Sequence, residues 1–485
     1  MAPHDVVHCS DGARHIAAGF SMSTDYQFDE RLSALDEIML RAEQNPRTRN
    51  WVLSLMILEK KPTKARLLEQ LERASRDFIR LRQVATPAPT PLGFARWQAS
   101  DSFNVNDHFQ NIAMPKGSSF QDLLALTSTF LNKPGDLSKP LWDSMLIDNI
   151  QHPAGTTAFV FRMHHAVADG VGAVQLFLSL FDTEPTGRRD FADLPVSKRK
   201  SWLQRVSADI QDSLPAVRKV SEIALQTTLA HIKAPIQSLI DDKHLLDSIQ
   251  RLYGPTQATA SPLLAQRSLA RGLLAWDFEF NPFKRALKQL GWSVNEGYLT
   301  ALTLGLKDYH EQLHCPVDSL PITIPVNIRQ GGASEQSAGN HIAPAKIILP
   351  IALSDPHEIA DSISNQVRNA IQEPALRLMD WLAPTVKGAP QFVVDRIADS
   401  MAQVDVQASN VPGYPFAPYL AGSKITRSYP FAPLPGVALM VALYTQSNIA
   451  HIGIQLDRAS IDEPDRLEAC LKQGFEQITA LGHKS

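Results

Sequence analysis

The sequence predicts an α+β protein made of two lobes joined by a helical connector. The chain has 485 residues, and domains of roughly 100–200 residues each suggest two or more. Strand-like and helix-like runs alternate up to Phe181 and again after Arg271, whereas the stretch between them has only helical periodicity. With 44% hydrophobic and 20% charged residues, the chain can bury a sizeable core.

The first lobe is predicted at residues 31–187, after a weakly ordered leader at residues 1–30. Ser33 followed by Asp36 resembles a capping box, which predicts a helix that begins there. The periodicity of the apolar residues then predicts, in order, a strand at Trp51–Leu58, a helix at Lys64–Ile79, a loop with Pro87, Pro89 and Pro91, a helix at Phe120–Leu131, strands at Ser144–Ile147 and Thr157–Phe161, and a helix at Val171–Phe181.

The connector is predicted at residues 188–270 and the second lobe at residues 271–485. Basic residues mark the start of the connector, and apolar residues at helical spacing follow them. In the second lobe the pattern predicts helices at Pro282–Leu290 and Asn295–Leu306, strands at Leu320–Ile328, Ile342–Leu349, Val404–Ala408, Gly436–Tyr444 and Ile449–Leu456, and a last helix from Glu463.

Composition bounds the partners and the compartment. The formal net charge of −3 gives no reason to expect nucleic acid. Three scattered cysteines suit a reducing cytoplasm better than a disulfide framework. The sequence has neither a run of ~20 apolar residues nor a signal-peptide core. We therefore expect a cytoplasmic protein.

The most informative motif is the pair His164-His165, followed by Asp169-Gly170. It lies at a predicted strand-to-helix turn, where side chains reach a cavity from a rigid backbone. A His-His pair alone is more often surface or core, and His and Asp also bind zinc. However, adjacent histidines do not easily face one ion, and imidazole suits general-base catalysis near neutral pH. We predict His165 as the base, His164 as its supporting neighbour, Asp169 as a brace that pairs with an arginine, and Gly170 as a turn residue.

The segment from His164 to Gly170 resembles the HHxxxDG motif of the chloramphenicol-acetyltransferase-like, CoA-dependent acyltransferase superfamily. More narrowly, the chain resembles the bacterial wax ester synthase/diacylglycerol acyltransferase family from Leu32 onward. Other segments similar to that family are Leu32–Asp36, Pro140–Trp142, Pro325–Arg329, Gly339-Asn340 and Ser409–Gly413.

The resemblance implies two lobes of mixed sheets flanked by helices, with an active-site channel at their interface. In such an enzyme His165 activates the hydroxyl of a fatty alcohol or diacylglycerol. Acyl-CoA is the co-substrate, and neither an acyl-enzyme nor a further cofactor or metal is involved. Asp169 is then expected to pair with Arg82, or with Arg80 as second choice. The alternative is that both arginines are solvated charges at a helix end.

The resemblance also implies supporting roles in the second lobe for Asn295, Ser409 and Asn410. Asn295 is followed by Glu296 where the family has Asp, and a plain N-cap is the main alternative for Asn295. Tyr414 replaces the commoner Pro after the Ser409–Gly413 segment, in an apolar stretch that either lines an acyl tunnel or packs between the lobes.

Two other functions remain open at this stage. One is acyl transfer or condensation onto a carrier-protein-bound or polyketide hydroxyl, and the other is lipid or CoA binding without turnover. Peripheral contact with a membrane or lipid droplet through the connector is also open, against ordinary packing between the lobes.

Overall fold

The computed structural model describes residues 30–89, 95–168, 170–188, 190–194, 201–211, 261–327, 342–373 and 404–482. Its strands are β1 (Glu30–Arg31), β2 (Trp51–Leu58), β3 (Gln83–Thr86), β4 (Arg96–Ala99), β5 (Phe109–Ala113), β6 (Trp142–His152), β7 (Gly155–His164), β8 (Arg271–Glu279), β9 (Leu320–Asn327), β10 (Ile342–Leu349), β11 (Val406–Val411), β12 (Tyr419–Leu420), β13 (Ser423–Phe431), β14 (Leu439–Gln446) and β15 (Ile449–Asp457). Its α-helices are α1 (Ala34–Ala42), α2 (Lys64–Asp77), α3 (Phe120–Asn132), α4 (Gly170–Leu180), α5 (Phe280–Leu290), α6 (Val294–Gln312), α7 (Pro356–Ile371) and α8 (Pro464–Leu481).

The first lobe is built on a six-stranded sheet of order β12-β13-β2-β7-β6-β5. Strands β2 and β7 are antiparallel neighbours at its centre, and Trp51 lies opposite His164. Both strands are rich in β-branched, aromatic and other apolar residues, and their side chains are almost all buried. Ser33 caps α1 as predicted, because its Oγ accepts the N–H of Asp36 at 3.1 Å.

The second lobe is built on a mixed six-stranded sheet of order β10-β9-β11-β14-β15-β8. Strand β11 runs parallel to both β9 and β14, and the other pairs are antiparallel. Helices α6 and α8 contribute much of the core, including Tyr298, Leu302, Leu471 and Phe475. The predicted α+β class and the two lobes of mixed sheet and helix are confirmed.

Part of the C-terminal half of the chain belongs to the first lobe. Strands β12 and β13 belong to the C-terminal half of the sequence but complete the sheet of the first lobe, where β13 pairs with β2. Leu420, Ile425 and Tyr429 accordingly pack in the core of the first lobe. An isolated bridge between Asp182 and Tyr419 adds a second link. The predicted division of the chain at residue 270 assigns β12 and β13 to the second lobe, although they complete the sheet of the first.

Several predictions fall outside the described residues. These are the leader up to residue 29, Pro91, most of the predicted connector, and the family-like residues Arg329, Gly339 and Asn340. Of the connector, residues 202–211 are helical. Within the described ranges, no helix combines the length and the apolar character needed to cross a membrane.

Candidate active site

The histidine pair lies where β7 ends. His164 is the last residue of the strand, and His165 opens a short 3₁₀ turn, His165–Val167, before α4. The N–H of His164 donates to the carbonyl of Leu141 at 2.9 Å, and that of His165 donates to the carbonyl of Asn50 at 2.7 Å. The predicted strand-to-helix turn is therefore confirmed, and both peptide N–H groups are fixed.

The two imidazoles have different surroundings. The side chain of His164 is fully buried, whereas His165 is half-buried. Nδ1 of His164 accepts the N–H of Ala166 at 3.2 Å. Its Nε2 lies 3.6 Å from Oε2 of Glu43, and its ring meets the ring of Trp51 edge-on with centroids 5.6 Å apart. His165 is thus the more accessible of the two imidazoles, and the roles predicted for the pair, His165 as base and His164 as its supporting neighbour, stay predictions.

Glu43 is a residue that the sequence analysis missed. Its carboxylate accepts Nε1–H of Trp51 at 2.9 Å and the N–H of Asn50 at 3.3 Å, and Nε of Arg49 lies 3.6 Å away. Glu43 is the C-cap residue of α1, where the helix dipole disfavours an anion. An acid in that unfavourable position is the signal in the sequence that points to a special role.

Asp169 lies outside the described residues, so its pairing with an arginine stays a prediction. Gly170 is the first residue of α4. Arg82 forms an ion pair with Glu72, donates from Nε to Oγ of Ser75 at 3.0 Å, and lies over the ring of Phe103 at 4.4 Å.

Arg80, the second choice for that pairing, lies with Arg82 in a short 3₁₀ helix, Ile79–Arg82. It is buried, donates from Nη1 to Oε1 of Gln83 at 3.0 Å, and lies over the ring of Trp97 at 4.5 Å. Arg82 is only partly exposed. Neither arginine is thus a solvated helix-end charge, and that alternative is wrong.

Asn295 is not the N-cap of α6, and that expectation is wrong. Ser293 caps the helix: its Oγ accepts the N–H of Glu296 at 3.2 Å, while Oε2 of Glu296 accepts the N–H of Ser293 at 2.7 Å. Asn295 lies inside the first turn and is half-buried. Glu296, which stands where the family has Asp, closes the capping box of this helix.

Ser409 and Asn410 lie at the end of β11, opposite Ala442 and Leu443 of β14, and both are partly buried. The strand thus extends beyond the predicted Ala408. Gly413 follows where the backbone passes close to β14, because a Cβ there would lie 1.7 Å from the carbonyl oxygen of Thr445.

The apolar stretch at Tyr414 packs against the first lobe. The ring of Tyr414 stacks on Phe416 with centroids 5.5 Å apart and meets Phe181 edge-on at 6.3 Å. Phe181 directly follows α4, the helix that begins after the histidine motif. Packing between the lobes is thus confirmed for Tyr414, and a role in an acyl tunnel stays a prediction.

The fold is that of two-lobed acyltransferases and condensation domains. A wax ester synthase/diacylglycerol acyltransferase from Marinobacter aquaeolei VT8 superposes with a TM-score of 0.61 at 19% identity, over 93% of this chain and 100% of that one. A starter condensation domain of rhizomide synthetase, solved with C8-CoA and Leu-SNAC, superposes with a TM-score of 0.54 at 15% identity, over 97% and 96% of the two chains.

The chain belongs to the wax ester synthase/diacylglycerol acyltransferase family. The catalytic domain of that family matches residues 32–298, and its C-terminal domain matches residues 338–479. A Mycobacterium tuberculosis protein named as a diacylglycerol O-acyltransferase is 32% identical over 464 residues, 94% of this chain and 93% of that protein. The O-acyltransferase WSD of Acinetobacter baylyi is 22% identical over 420 residues, 83% of this chain and 89% of that protein. The family predicted from the sequence is confirmed.

Proposed function

We propose that this chain is an O-acyltransferase that moves a long-chain acyl group from acyl-CoA to a fatty alcohol or a diacylglycerol. The products are a wax ester or a triacylglycerol, and free CoA. The observation that carries the proposal is the half-buried His165 on the fixed turn after β7, in a chain that belongs to this family over nearly its whole length.

His165 acts as a general base in the proposed reaction. As the hydroxyl oxygen attacks the thioester carbonyl, the imidazole takes its proton, a C–O bond forms and the C–S bond breaks. The departing CoA thiolate then takes the proton back, which restores neutral His165. No electron acceptor is needed, and we propose no cofactor besides the acyl-CoA co-substrate.

The second lobe supplies polar side chains to the proposed channel. Asn295 lies in the first turn of α6, and Ser409 and Asn410 lie near the end of β11, so all three are held on regular elements. Amide and hydroxyl donors suit an oxyanion that develops on the thioester carbonyl. We propose that these residues bind substrate there, and that Asp169 braces the turn of His165.

Contact with a lipid surface is part of the proposal, because both acceptor alcohols are poorly soluble. At the start of the helical segment 202–211, Trp202 is 59% exposed and Leu203 is 72% exposed. Exposed Trp and Leu side chains on a helix are typical of interfacial anchors. We therefore propose peripheral association of a cytoplasmic protein with membranes or lipid droplets.

A turnover assay tests the function. The purified protein is incubated with palmitoyl-CoA and either hexadecanol or dipalmitoylglycerol in phosphatidylcholine vesicles. Free CoA is followed with a thiol reagent, and the ester is identified by mass spectrometry. We expect His165→Ala to lower kcat by about 10²- to 10⁴-fold, as the loss of a general base does.

The control is His357→Ala, an exposed histidine on α7, which should keep wild-type turnover. Equal CoA release from wild type and His165→Ala would contradict the assigned base. If the wild type acylates neither alcohol, the lipid acceptor is wrong. Flotation of the same vesicles tests the lipid contact, which predicts weaker binding by a Trp202→Ala/Leu203→Ala variant.

A further inference from the structure

We infer that Glu43 is a positioning residue for the proposed reaction, and that it acts on His165 through His164 and Asn50. The inference rests on the proposed role of His165 as the base. Glu43 lies outside the histidine motif and in a different element, the C-terminal end of α1.

The carboxylate of Glu43 is buried and nearly saturated with donors. The residue is 7% exposed. One oxygen accepts Nε1–H of Trp51 at 2.9 Å and lies 3.6 Å from Nε of Arg49, while the other accepts the N–H of Asn50 at 3.3 Å. A buried carboxylate is costly unless such donors surround it, so this site is built for a carboxylate.

The contact between Glu43 and His164 selects the tautomer of the imidazole. Nδ1 of His164 accepts the N–H of Ala166, so Nδ1 carries a lone pair and the proton of the neutral ring lies on Nε2. That Nε2 faces Oε2 of Glu43 at 3.6 Å, slightly beyond hydrogen-bond length. The negative charge of Glu43 favours the proton on that nitrogen.

Two hydrogen bonds connect the surroundings of Glu43 to the backbone at His165. The N–H of Ala166, which follows His165, is held by Nδ1 of His164. The N–H of His165 itself is held by the carbonyl of Asn50, the residue whose own N–H donates to Glu43. Glu43 thus contacts the residues that fix the peptide groups on both sides of the base.

Trp51 closes the arrangement from the other side. Its ring lies edge-on to His164, its Nε1 donates to Glu43, and the guanidinium of the buried Arg162 lies over its face at 4.5 Å. Packing with Trp51 and Asn50 requires an acceptor oxygen for each of the two N–H donors, whereas a neutral Gln amide supplies one oxygen and one NH2 group. Glu43→Gln therefore removes the charge that faces Nε2 of His164 and Nε of Arg49 together with one acceptor, so the double variant with His164→Asn decides how much of its effect passes through His164.

Glu43→Gln, His164→Asn and the double variant test the inference. Asn keeps an acceptor near the position of Nδ1 but removes the nitrogen that faces Glu43. We expect Glu43→Gln to lower kcat by about 10- to 100-fold, because a small misplacement of a catalytic group has effects of that size. KM for palmitoyl-CoA should change less than about twofold, since uniform binding is not affected.

The loss of kcat in the double variant should be smaller than the product of the two single losses, because part of the effect of Glu43 passes through His164. The matched control is Asp182→Asn, another buried carboxylate, which pairs with Arg73 at 2.8 Å away from the histidines. It should lower the melting temperature without a selective loss of kcat. In ¹⁵N spectra of histidine-labelled protein, the signals that disappear in His164→Asn should show the Nε2–H tautomer, and Glu43→Gln should shift them.

Either of two results overturns the inference: Glu43→Gln keeps kcat within about twofold of wild type, or the losses of the two single variants multiply in the double variant. The proposed function fails separately, through a wild type that does not turn over or a His165→Ala variant that does. The tautomer measurement needs no turnover, so it tests the structural part of the inference in either case.

Discussion

At the scale of single residues, the histidines of this protein differ in how deeply their side chains are buried. His165 is half-buried, whereas His451 on β15 is fully buried between the rings of Tyr429 and Tyr444, with centroids at 5.7 Å and 6.1 Å. Burial lowers the pKa of His451 to about 4, although the charge of Asp277 acts in the opposite direction. His451 is therefore a neutral packing residue at physiological pH and is not suited to general-base catalysis.

The lowered pKa of His451 predicts a loss of stability in acid. The unfolded chain takes up this proton near pH 6.5 and the native protein only near pH 4, so the stability present above pH 6.5 falls as the pH drops between these values. The full effect is about 3 kcal/mol. His451→Gln should flatten the fall in the free energy of unfolding, measured with urea between pH 7.5 and 4.5.

His108 and His152, whose pKa values burial also lowers, remain in the His451→Gln variant and supply the common slope. Glutamine keeps polar atoms at the site but does not titrate. A variant whose stability falls with pH as steeply as that of wild type would show that His451 is protonated in the native state or that its site is hydrated.

At the scale of elements, the start of α6 shows how a capping motif determines the position of Asn295, a residue of the proposed channel. Ser293 and Glu296 close a capping box, as Ser119 and Asp122 do at α3. Because Ser293 is the N-cap, Asn295 falls on the second helical residue and its side chain is not used by the cap. This leaves Asn295 free to serve the proposed channel.

The same comparison yields a stability prediction. Ser293→Ala and Ser119→Ala should each lower the free energy of unfolding by about 1 kcal/mol, the usual loss for a removed cap. Glu296→Asp should change it by less than about 0.5 kcal/mol, because Asp122 closes the equivalent box in α3. Urea titrations of the three variants measure these differences. A Glu296→Asp variant as unstable as Ser293→Ala would mean that the box requires the longer side chain.

Hydrophobic periodicity predicts the elements whose own residues form a continuous, mainly apolar run. Strands β2 and β10 have the predicted bounds, because each is a continuous run of mainly apolar residues. Strand β13 was not predicted, because Lys424, Arg427 and Pro430 interrupt its pattern. Its residues are buried because the strand joins the sheet of the first lobe, and no local pattern in the sequence encodes that pairing.

The candidate site is likewise only partly predictable from the sequence. The histidine pair is contiguous and lies at a recognisable turn, so sequence reasoning finds it. Glu43 reaches His164 only through the fold, because α1 and the end of β7 are distant in the sequence and adjacent in space. The pairing assigned to Arg82 remains a prediction, and among the described residues its side chain contacts Glu72, Ser75 and Phe103. Contacts of this kind depend on tertiary packing.

At the scale of the whole molecule, β13 holds the two lobes in register. It pairs with β2 in the first sheet, and its side chains reach the second sheet: Nε of Arg427 donates to Oδ2 of Asp277 at 2.8 Å, and the hydroxyl of Tyr429 donates to Oδ1 of the same residue at 2.7 Å. The strand crosses β15 at Gly453, where the carbonyl oxygen of Pro430 occupies the space that a Cβ would take, at 1.7 Å.

Gly453→Ala should therefore displace one lobe against the other. The added methyl meets the backbone of Pro430, which the pairing of β13 with β2 holds in place, so we expect a loss of about 2 kcal/mol in the free energy of unfolding. If the active-site channel lies between the lobes, kcat should also fall by about 10-fold, since it depends on residues from both.

The control is Gly272→Ala on the neighbouring strand β8, where the nearest atoms belong to the side chains of Arg458 and Leu456 and can move. Urea unfolding and the palmitoyl-CoA assay on both variants decide the matter. Equal effects of the two substitutions would show that the close crossing at Gly453 does not set the distance between the lobes.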